Sequence, residues 1–462
     1  MERKRRDWTW PVIVIIVFLM LLNLHAQTAT AAPGSSDSGT SDSATAVDAP
    51  LPQHVLDRID RLEREVARLH GEEDQTWLDE RRAEEVKALV HEVLSDAQTR
   101  ASLLSDEALA GYNNGFFIRS PDGQFYLKIR GMIQTRYTFN IRQDEPAGQD
   151  GDQGGFEMAR TRIGFVGHII DPTWKFMIWT GYGANGSAIL LDAWVKKELP
   201  AGFAVTAGQF KVPMWKEWLV SETSQQFIER SLLTAKTSGI YTQGVVGEWQ
   251  NEMFHFALSF NDGMNATNSA WNADRTHWAV TGRAEWKAFG DWKNYNDFES
   301  WQGSDPLLVF GVAANYQQGD TGGSTQNPDN ITWTADALWK FGGGNVFAAI
   351  VGSHNSGYDS ATASYPPDYY GALIQGGYFI TPELEAIARY ECGFAEDDNI
   401  DQLSVASAGF NYFFKKWSAR FSFDVGYSFN AMPAFWASSG MGWLPDNSHG
   451  QVVIRTQMQL LF

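Results

Sequence analysis

Residues 125–141 read FYLKIRGMIQTRYTFNI. Phe125, Leu127, Ile129, Gly131, Ile133, Thr135, Tyr137, Phe139 and Ile141 share one face of an extended chain, and Tyr126, Lys128, Arg130, Met132, Gln134, Arg136, Thr138 and Asn140 share the other. One greasy face and one polar face at a period of two define a strand. Its length exceeds the roughly five or six residues of an ordinary globular strand. The last twelve residues repeat the pattern: Val452, Ile454, Thr456, Met458, Leu460 and Phe462 alternate with Val453, Arg455, Gln457, Gln459 and Leu461. Phe421, Phe423, Val425, Tyr427 and Phe429 do the same against Arg420, Ser422, Asp424, Gly426 and Ser428.

Working outward, the dyad recurs near 125–141, 158–170, 174–183, 188–196, 202–209, 242–249, 253–260, 276–286, 306–316, 331–341, 345–354, 369–379, 384–391, 402–413, 417–429 and 451–462, about sixteen spans. Connections after even-numbered spans are brief and most of those after odd-numbered spans are longer and rich in Gly, Asp, Asn and Ser. An even strand count with short turns at one rim and long loops at the other predicts an all-β fold, a transmembrane antiparallel β-barrel with both ends of the barrel chain on the short-turn, periplasmic side. Residues 287–305 break the rule: a short turn belongs there, and the segment is long enough to conceal a miscounted strand. A soluble sandwich or propeller alternates too, but with shorter strands whose apolar faces pack on protein. Here Trp174, Tyr182, Trp278, Trp286, Trp333, Phe341, Tyr369 and Tyr378 lie near strand ends on the apolar face, as an interfacial girdle requires.

Composition agrees. The chain of 462 residues carries 19 Trp, 15 Tyr, 29 Phe and 43 Gly, which suits turns and aromatic surface, and its net charge of −19 argues against non-specific nucleic-acid binding. The barrel region has no apolar run of helical-span length. A single cysteine, Cys392, excludes an internal disulfide and a thiolate zinc cluster. No H-E-x-x-H or G-x-S-x-G occurs, and His168, His255 and His277 are scattered, so no enzyme, metal centre or cofactor is expected. The acidic stretch Glu396, Asp397, Asp398, Asn399 and Asp401 lacks the EF-hand spacing and reads as a solvated loop.

Ahead of the barrel (111–462) the chain changes character three times. Basic residues Arg3 to Arg6 followed by an apolar run from Val12 to Leu24 and an A-x-A site predict a signal peptide over 1–31. Residues 32–50 are a polar linker. Over 51–110, Val55, Ile59, Leu62, Val66 and Leu69 follow a 4, 3, 4, 3 spacing, which predicts an α-helical coiled-coil segment in the periplasm, or a monomeric amphipathic helix. That segment holds 8 basic and 15 acidic residues and does not suit anionic lipid.

Taking the polar faces as lumenal puts Lys128, Arg130, Arg136, Arg160, Arg162, Lys175, Lys196, Arg283, Lys340, Arg389, Arg420 and Arg455 inside, with Asp192, Glu248, Glu285, Asp336, Glu385, Glu391 and Asp424. Twelve bases against seven acids leave about +5 on the wall, and basic rings favour anions in pores. The alternative is that these charges pair across the lumen and keep it wet. The connection 210–241 is the longest, and its Trp215, Trp218, Leu219, Phe227 and Ile228 need a surface. Folded into the barrel it forms a constriction with Lys211, Lys216, Arg230 and Lys236 beside Glu217, Glu222 and Glu229; folded outward it is a lid.

In their order and spacing, ARTRIGF (159–165), LLDAWV (190–195), GQFKVP (208–213) and FIERSLL (227–233) resemble the phosphate-selective porin O and P family. The resemblance implies a 16-stranded outer-membrane porin, usually trimeric, with its third long loop folded inward and basic residues guiding anions. It points to Arg160, Arg162, Lys211 and Arg230, and to small anions, phosphate among them, or other small solutes as what crosses. Passive diffusion through a wet barrel is one expected function. The other is a tether, in which the barrel sits in outer-membrane lipid and residues 51–110 contact peptidoglycan.

Overall fold

The computed structural model describes residues 57–64, 87, 109–142, 151–183, 186–237, 241–264, 266–271, 276–318, 329–356 and 368–462. The expected signal peptide, the linker and most of the 51–110 segment lie outside these residues. The chain divides into two compact units, Met1–Val93 and Leu94–Phe462. In the first, residues 57–64 are helical and leave Ile59 and Leu62 exposed.

The second unit opens with a small hairpin, β1 (Ala110–Tyr112) and β2 (Phe116–Arg119). Sixteen long strands follow: β3 (Tyr126–Arg142), β4 (Asp152–His168), β5 (Trp174–Tyr182), β6 (Ala188–Glu198), β7 (Phe203–Phe210), β8 (Thr242–Gln250), β9 (Phe254–Asn261), β10 (Trp278–Phe289), β11 (Leu307–Gln318), β12 (Asn330–Lys340), β13 (Gly344–Asn355), β14 (Tyr369–Phe379), β15 (Leu384–Ala395), β16 (Leu403–Lys415), β17 (Ala419–Ser428) and β18 (Gln451–Leu461). Each pairs antiparallel with the next, and β18 returns to β3 in register Gln451↔Arg142 through Leu461↔Met132, so the barrel is closed. At the seam Gly131 N donates to Phe462 O (2.6 Å) and Phe462 N to Gly131 O (3.1 Å). Beyond that point β2 takes over as partner of β3, from Phe116↔Ile129 to Arg119↔Tyr126.

Closure follows from the solvent. Hydrocarbon offers no hydrogen bonds to an unpaired backbone group, so a sheet that crosses it must have no free edge. The strands alternate accordingly. In β12, Asn330, Thr332, Thr334, Asp336, Leu338 and Lys340 are buried inside, while Ile331, Trp333 and Trp339 face out. Phe310, Val312, Ile350, Ile374, Tyr390 and Tyr412 extend the exposed apolar surface around the wall, as lipid contact demands.

Two expectations change. Tyr369, assigned to the outer girdle, is only 5% exposed and points inward against Phe435 and Trp436. Tyr369 and Tyr378 lie an odd number of positions apart and cannot share a face of one strand; Tyr370 holds the outer position instead, its ring near Trp333 and Phe394. The second change concerns 287–305. No strand is hidden there: β10 runs on to Phe289, and residues 290–306 fold with one 3-10 turn, Trp292–Tyr295, into the short-turn mouth. Phe298 is fully buried against Phe347, and Trp301 lies among Phe379, Phe413 and Trp417. Its apolar residues find inward-facing apolar partners at the mouth, which a two-residue turn would leave wet.

The exit from β7 is set by Gly208, whose φ of +130° breaks the strand alternation so that both Gln209 and Phe210 are buried. A Cβ at this glycine would lie 2.2 Å from Ala193 O, a backbone atom that has nowhere to move inside the sheet. Gly208→Val should therefore cost about 1–3 kcal/mol of backbone strain. A denaturant titration followed by the gel mobility of folded against unfolded barrel would show a lowered midpoint, whereas an unchanged midpoint would contradict this role.

Candidate functional site

The long connection after β7 packs across lumen-facing side chains of β3, β4 and β15 to β18 and, through Met214 and Lys236, of β10 and β14. Gln459 on β18 donates to Thr223 O (3.1 Å), Arg420 on β17 to Gln225 O (2.6 Å), Asn411 on β16 to Gln226 O (2.8 Å) and Arg389 on β15 to Glu229 O (3.0 Å). Gln134 on β3 reaches Glu222 O (3.4 Å). The exchange runs both ways: Ile228 N donates to Asp424 (3.2 Å) and Leu232 N to Glu391 (2.7 Å). A loop of irregular backbone is thus satisfied by the polar face that the dyad turns inward, as buried amides require. Trp215, Phe227, Ile228, Leu232 and Leu233 are buried with it.

Two carboxylates organise the charges. Glu222 meets Arg162 (2.9 Å), Arg230 (3.2 Å) and Lys211 (3.7 Å). Glu229 meets Arg160 (2.7 Å) and Arg136. Burial by itself would raise both carboxyls, yet Arg162, Lys211 and Arg230 around the first, and Arg160 and Arg136 around the second, hold them well below the usual carboxylate range. Burial pushes Lys211 down to about 8 despite Glu222, and Lys216 down to about 7 despite Glu285. Arg230 also closes the loop on itself, donating to Glu217 O (3.1 Å) and Val220 O (2.9 Å).

The predicted wall cations divide by environment. Arg136, Arg283 and Arg420 are buried beneath other chain segments, Arg283 between Glu285 (2.6 Å) and Asp336 (2.8 Å) and Arg420 over Trp417. Arg160 and Arg162 keep a little exposure, and Lys175 is half exposed and paired with Glu198. Lys128 and Arg130 have no ion pair among the described residues. In the loop, Lys216 lies over the Tyr295 ring (3.3 Å), and Lys236 over Phe435 (4.1 Å), with its carbonyl accepting from Tyr369 Oη (3.3 Å). Arg136, Arg160, Arg162, Lys175, Lys196, Arg283, Lys340, Arg389, Arg420 and Arg455 each face an acid within 4 Å, so most of the wall's excess base is matched by acids of the loop, the 290–306 connection and neighbouring strands.

Between the loop and the wall of β5 to β10 a cavity of about 380 Å³ remains. Its lining includes Arg130, Lys196, Lys211 and Arg283, together with Asp192, Glu222, Glu248 and Glu285, on a surface that also presents Trp179, Trp194 and Tyr241. His255 bridges Glu248 (3.8 Å) and Glu285 (2.7 Å) there. Sequence reasoning missed Tyr295, Asp297 and Glu299 as interior residues; the only signal was the anomalous length of their connection. A second cavity, about 700 Å³, lies between the outer connections near Asp397, Asp401 and His449. No group of three or more metal-capable side chains occurs among the described residues.

Replacing Glu222 by Gln would leave Arg162, Arg230 and Lys211 facing one another with Asp192, beside Lys211, as the acid that remains. Removing one member of such a buried set costs about 3–5 kcal/mol, to be seen as a lower denaturant midpoint. Because the folded pKa lies below the unfolded one, the carboxylate's contribution is complete above the ordinary glutamate range and is lost only as pH falls through the depressed value. The wild-type and Gln midpoints should therefore converge only in strong acid.

No curated relative matches the sequence. Among solved structures the chain is similar to an anion-selective porin from Comamonas acidovorans, at 12% identity over 73% of this chain and 99% of that one, with a TM-score of 0.53. It is also similar to the outer membrane channel DcaP of Acinetobacter baumannii (13%, 74% and 99%, TM-score 0.49) and to outer-membrane-expressed OmpT of Vibrio cholerae (11%, 74% and 99%, TM-score 0.49). At such identities the likeness concerns the fold. Residues 128–431, about two-thirds of the chain, match the family described as phosphate-selective porin O and P. With a closed sixteen-strand barrel and a matched segment of that extent, the chain belongs to the phosphate-selective porin O and P family.

Proposed function

We propose that this protein is an outer-membrane porin through which small hydrophilic solutes diffuse passively, with a lean to anions, and that the 210–241 loop is its constriction. Family and fold favour a channel over an enzyme. The observation that carries the anion lean is the surplus of cations at the loop edge: three surround Glu222, Arg130 on β3 lines the same cavity, and Lys128 lies two residues from Arg130 on that strand, both without counter-ions among the described residues. The similar porin of Comamonas acidovorans is anion-selective, which agrees with this reading. Dense cationic rings would favour phosphate itself, but the cavity lining holds four carboxylates against four Arg and Lys side chains. That balance supports general anion preference over phosphate specificity. The family resemblance supports a homotrimer.

A second reading keeps the tether. The helix at 57–64 exposes Ile59 and Leu62, apolar groups three residues apart that want a partner helix or another surface. In this reading residues 32–110 occupy the periplasm and the stalk contacts peptidoglycan, while the barrel is an anchor. Open single-channel steps in a planar bilayer favour the porin; their absence from correctly folded protein favours the tether.

In a KCl gradient the reversal potential should report more chloride than potassium permeation, and replacing Lys128 and Arg130 together by Ala should lower that ratio about two-fold or more. A cation-carried wild-type current would overturn the anion lean. The preference should also fall between pH 7 and 9. Lys211 lies among Glu222, Asp192, Arg230 and Arg162, and its pKa of about 8 means that its charge is lost over this interval. Lys211→Met should show the smaller preference at both pH values.

A further inference from the structure

Residues 290–306 join β10 to β11 at the rim where other connections are brief, and the porin reading alone gives them no role. We infer that this connection positions the constriction: it enters the barrel from the rim opposite the 210–241 loop and meets that loop inside, so that the aperture is braced from both ends. The inference rests on the porin reading above.

Two cationic side chains make the junction. Lys216 of the loop donates its Nζ to Tyr295 O (2.5 Å) and stands over the Tyr295 ring. Arg283 of β10 donates to Met214 O of the loop (2.7 Å), to Asp336 of β12 (2.8 Å) and to Tyr295 Oη (3.2 Å). One guanidinium therefore fixes loop, wall and connection at once, which its planar fork of donors allows and a lysine would not.

The connection is itself held at both ends. On one side Trp292 Nε1 donates to Asn251 O (2.8 Å) in the β8–β9 turn. On the other, Lys340 pairs with Asp297 (2.5 Å) and donates to Glu299 O (3.0 Å), while Ser300 Oγ accepts from Gly342 N (3.1 Å). It thus crosses the mouth from the β8–β9 turn to the β12–β13 turn. Residues 217–232 of the loop are tied to β3, β4 and β15 to β18, whereas Met214 and Lys216 are held by Arg283 and Tyr295. Without Tyr295 this stretch would be freer to leave the wall, since segments with few buried anchors open at low cost. Contact with a second segment anchored at the opposite rim removes that freedom.

The test uses full-length protein with Cys392→Ser, carrying a reporter Leu219→Cys at the cavity edge. Tyr295→Ala, Lys216→Met and a chain whose residues 291–305 are replaced by Asn-Gly are compared with the parent and with Tyr295→Phe. Two readouts are taken on protein that runs as folded barrel: single-channel conductance with its noise, and the rate at which a water-soluble thiol reagent labels the reporter. Tyr295→Ala and Lys216→Met should raise open-channel noise and speed labelling several-fold, the replacement should add at least a two-fold rise in conductance, and Tyr295→Phe, which keeps the ring under Lys216 and loses the Arg283 bond, should fall between the parent and Tyr295→Ala. Labelling rates and noise that match the parent in both point variants would overturn the inference, whether or not the shortened chain folds. Parent protein that shows no current, with labelling that still accelerates in the variants, would sink the porin reading while leaving the brace intact.

Discussion

Inside hydrocarbon every backbone amide must find its partner within the protein. Sixteen strands satisfy that requirement only by closing, and the closure is made at the end of the chain, where Phe462 exchanges two hydrogen bonds with Gly131. Once the wall is a ring, each residue on it must face lipid or lumen. The period of two follows, and with it the separation of an apolar exterior from an interior that collects nearly all of the wall's charge.

A lumen of that width does not stay empty of protein. The loop after β7 enters with glutamates at 217, 222 and 229 and meets arginines that the wall turns inward. Burying a charge without a counter-charge is costly, so this matching fixes where the loop can lie more narrowly than its tryptophans could. The opposite half of the barrel, along β5 to β10, is left with the open cavity. Cations and carboxylates are balanced on its lining. On the proposed porin reading, preference among solutes comes from the surplus around Glu222 and from Lys128 and Arg130, rather than from a continuous basic ladder.

Much of this was legible in the residues. The sixteen spans marked by alternation agree with the strands to within a few residues at most ends, because inward and outward positions sample water and lipid, two environments whose difference no local propensity overrides. The largest departure, at the start of β4, lies where Gln153 to Gly155 dilute the alternation with glycine. Residue type suggests Tyr369 for the girdle, but its parity on β14 is opposite to that of Tyr378 and turns it inward. The connection 290–306 was unreadable as a turn because its partners, Phe347, Phe379 and Phe413, lie far along the chain.

The residues alone carried about sixteen spans and not the β1–β2 hairpin, together with the approximate limits of those spans, the apolar face of each and a long aromatic loop after β7. Those properties are local: each is carried by neighbouring residues and one solvent boundary. Only the tertiary structure decided which charges stay unmatched, where the loop lies and what the 290–306 connection touches. Gln134 meets Gln459 across 325 residues of chain and Arg136 meets Glu229 across 93. A wall that counts as about +5 in isolation becomes mostly neutral once such partners arrive, because electrostatic pairing depends on distance in space, which the order of residues does not contain.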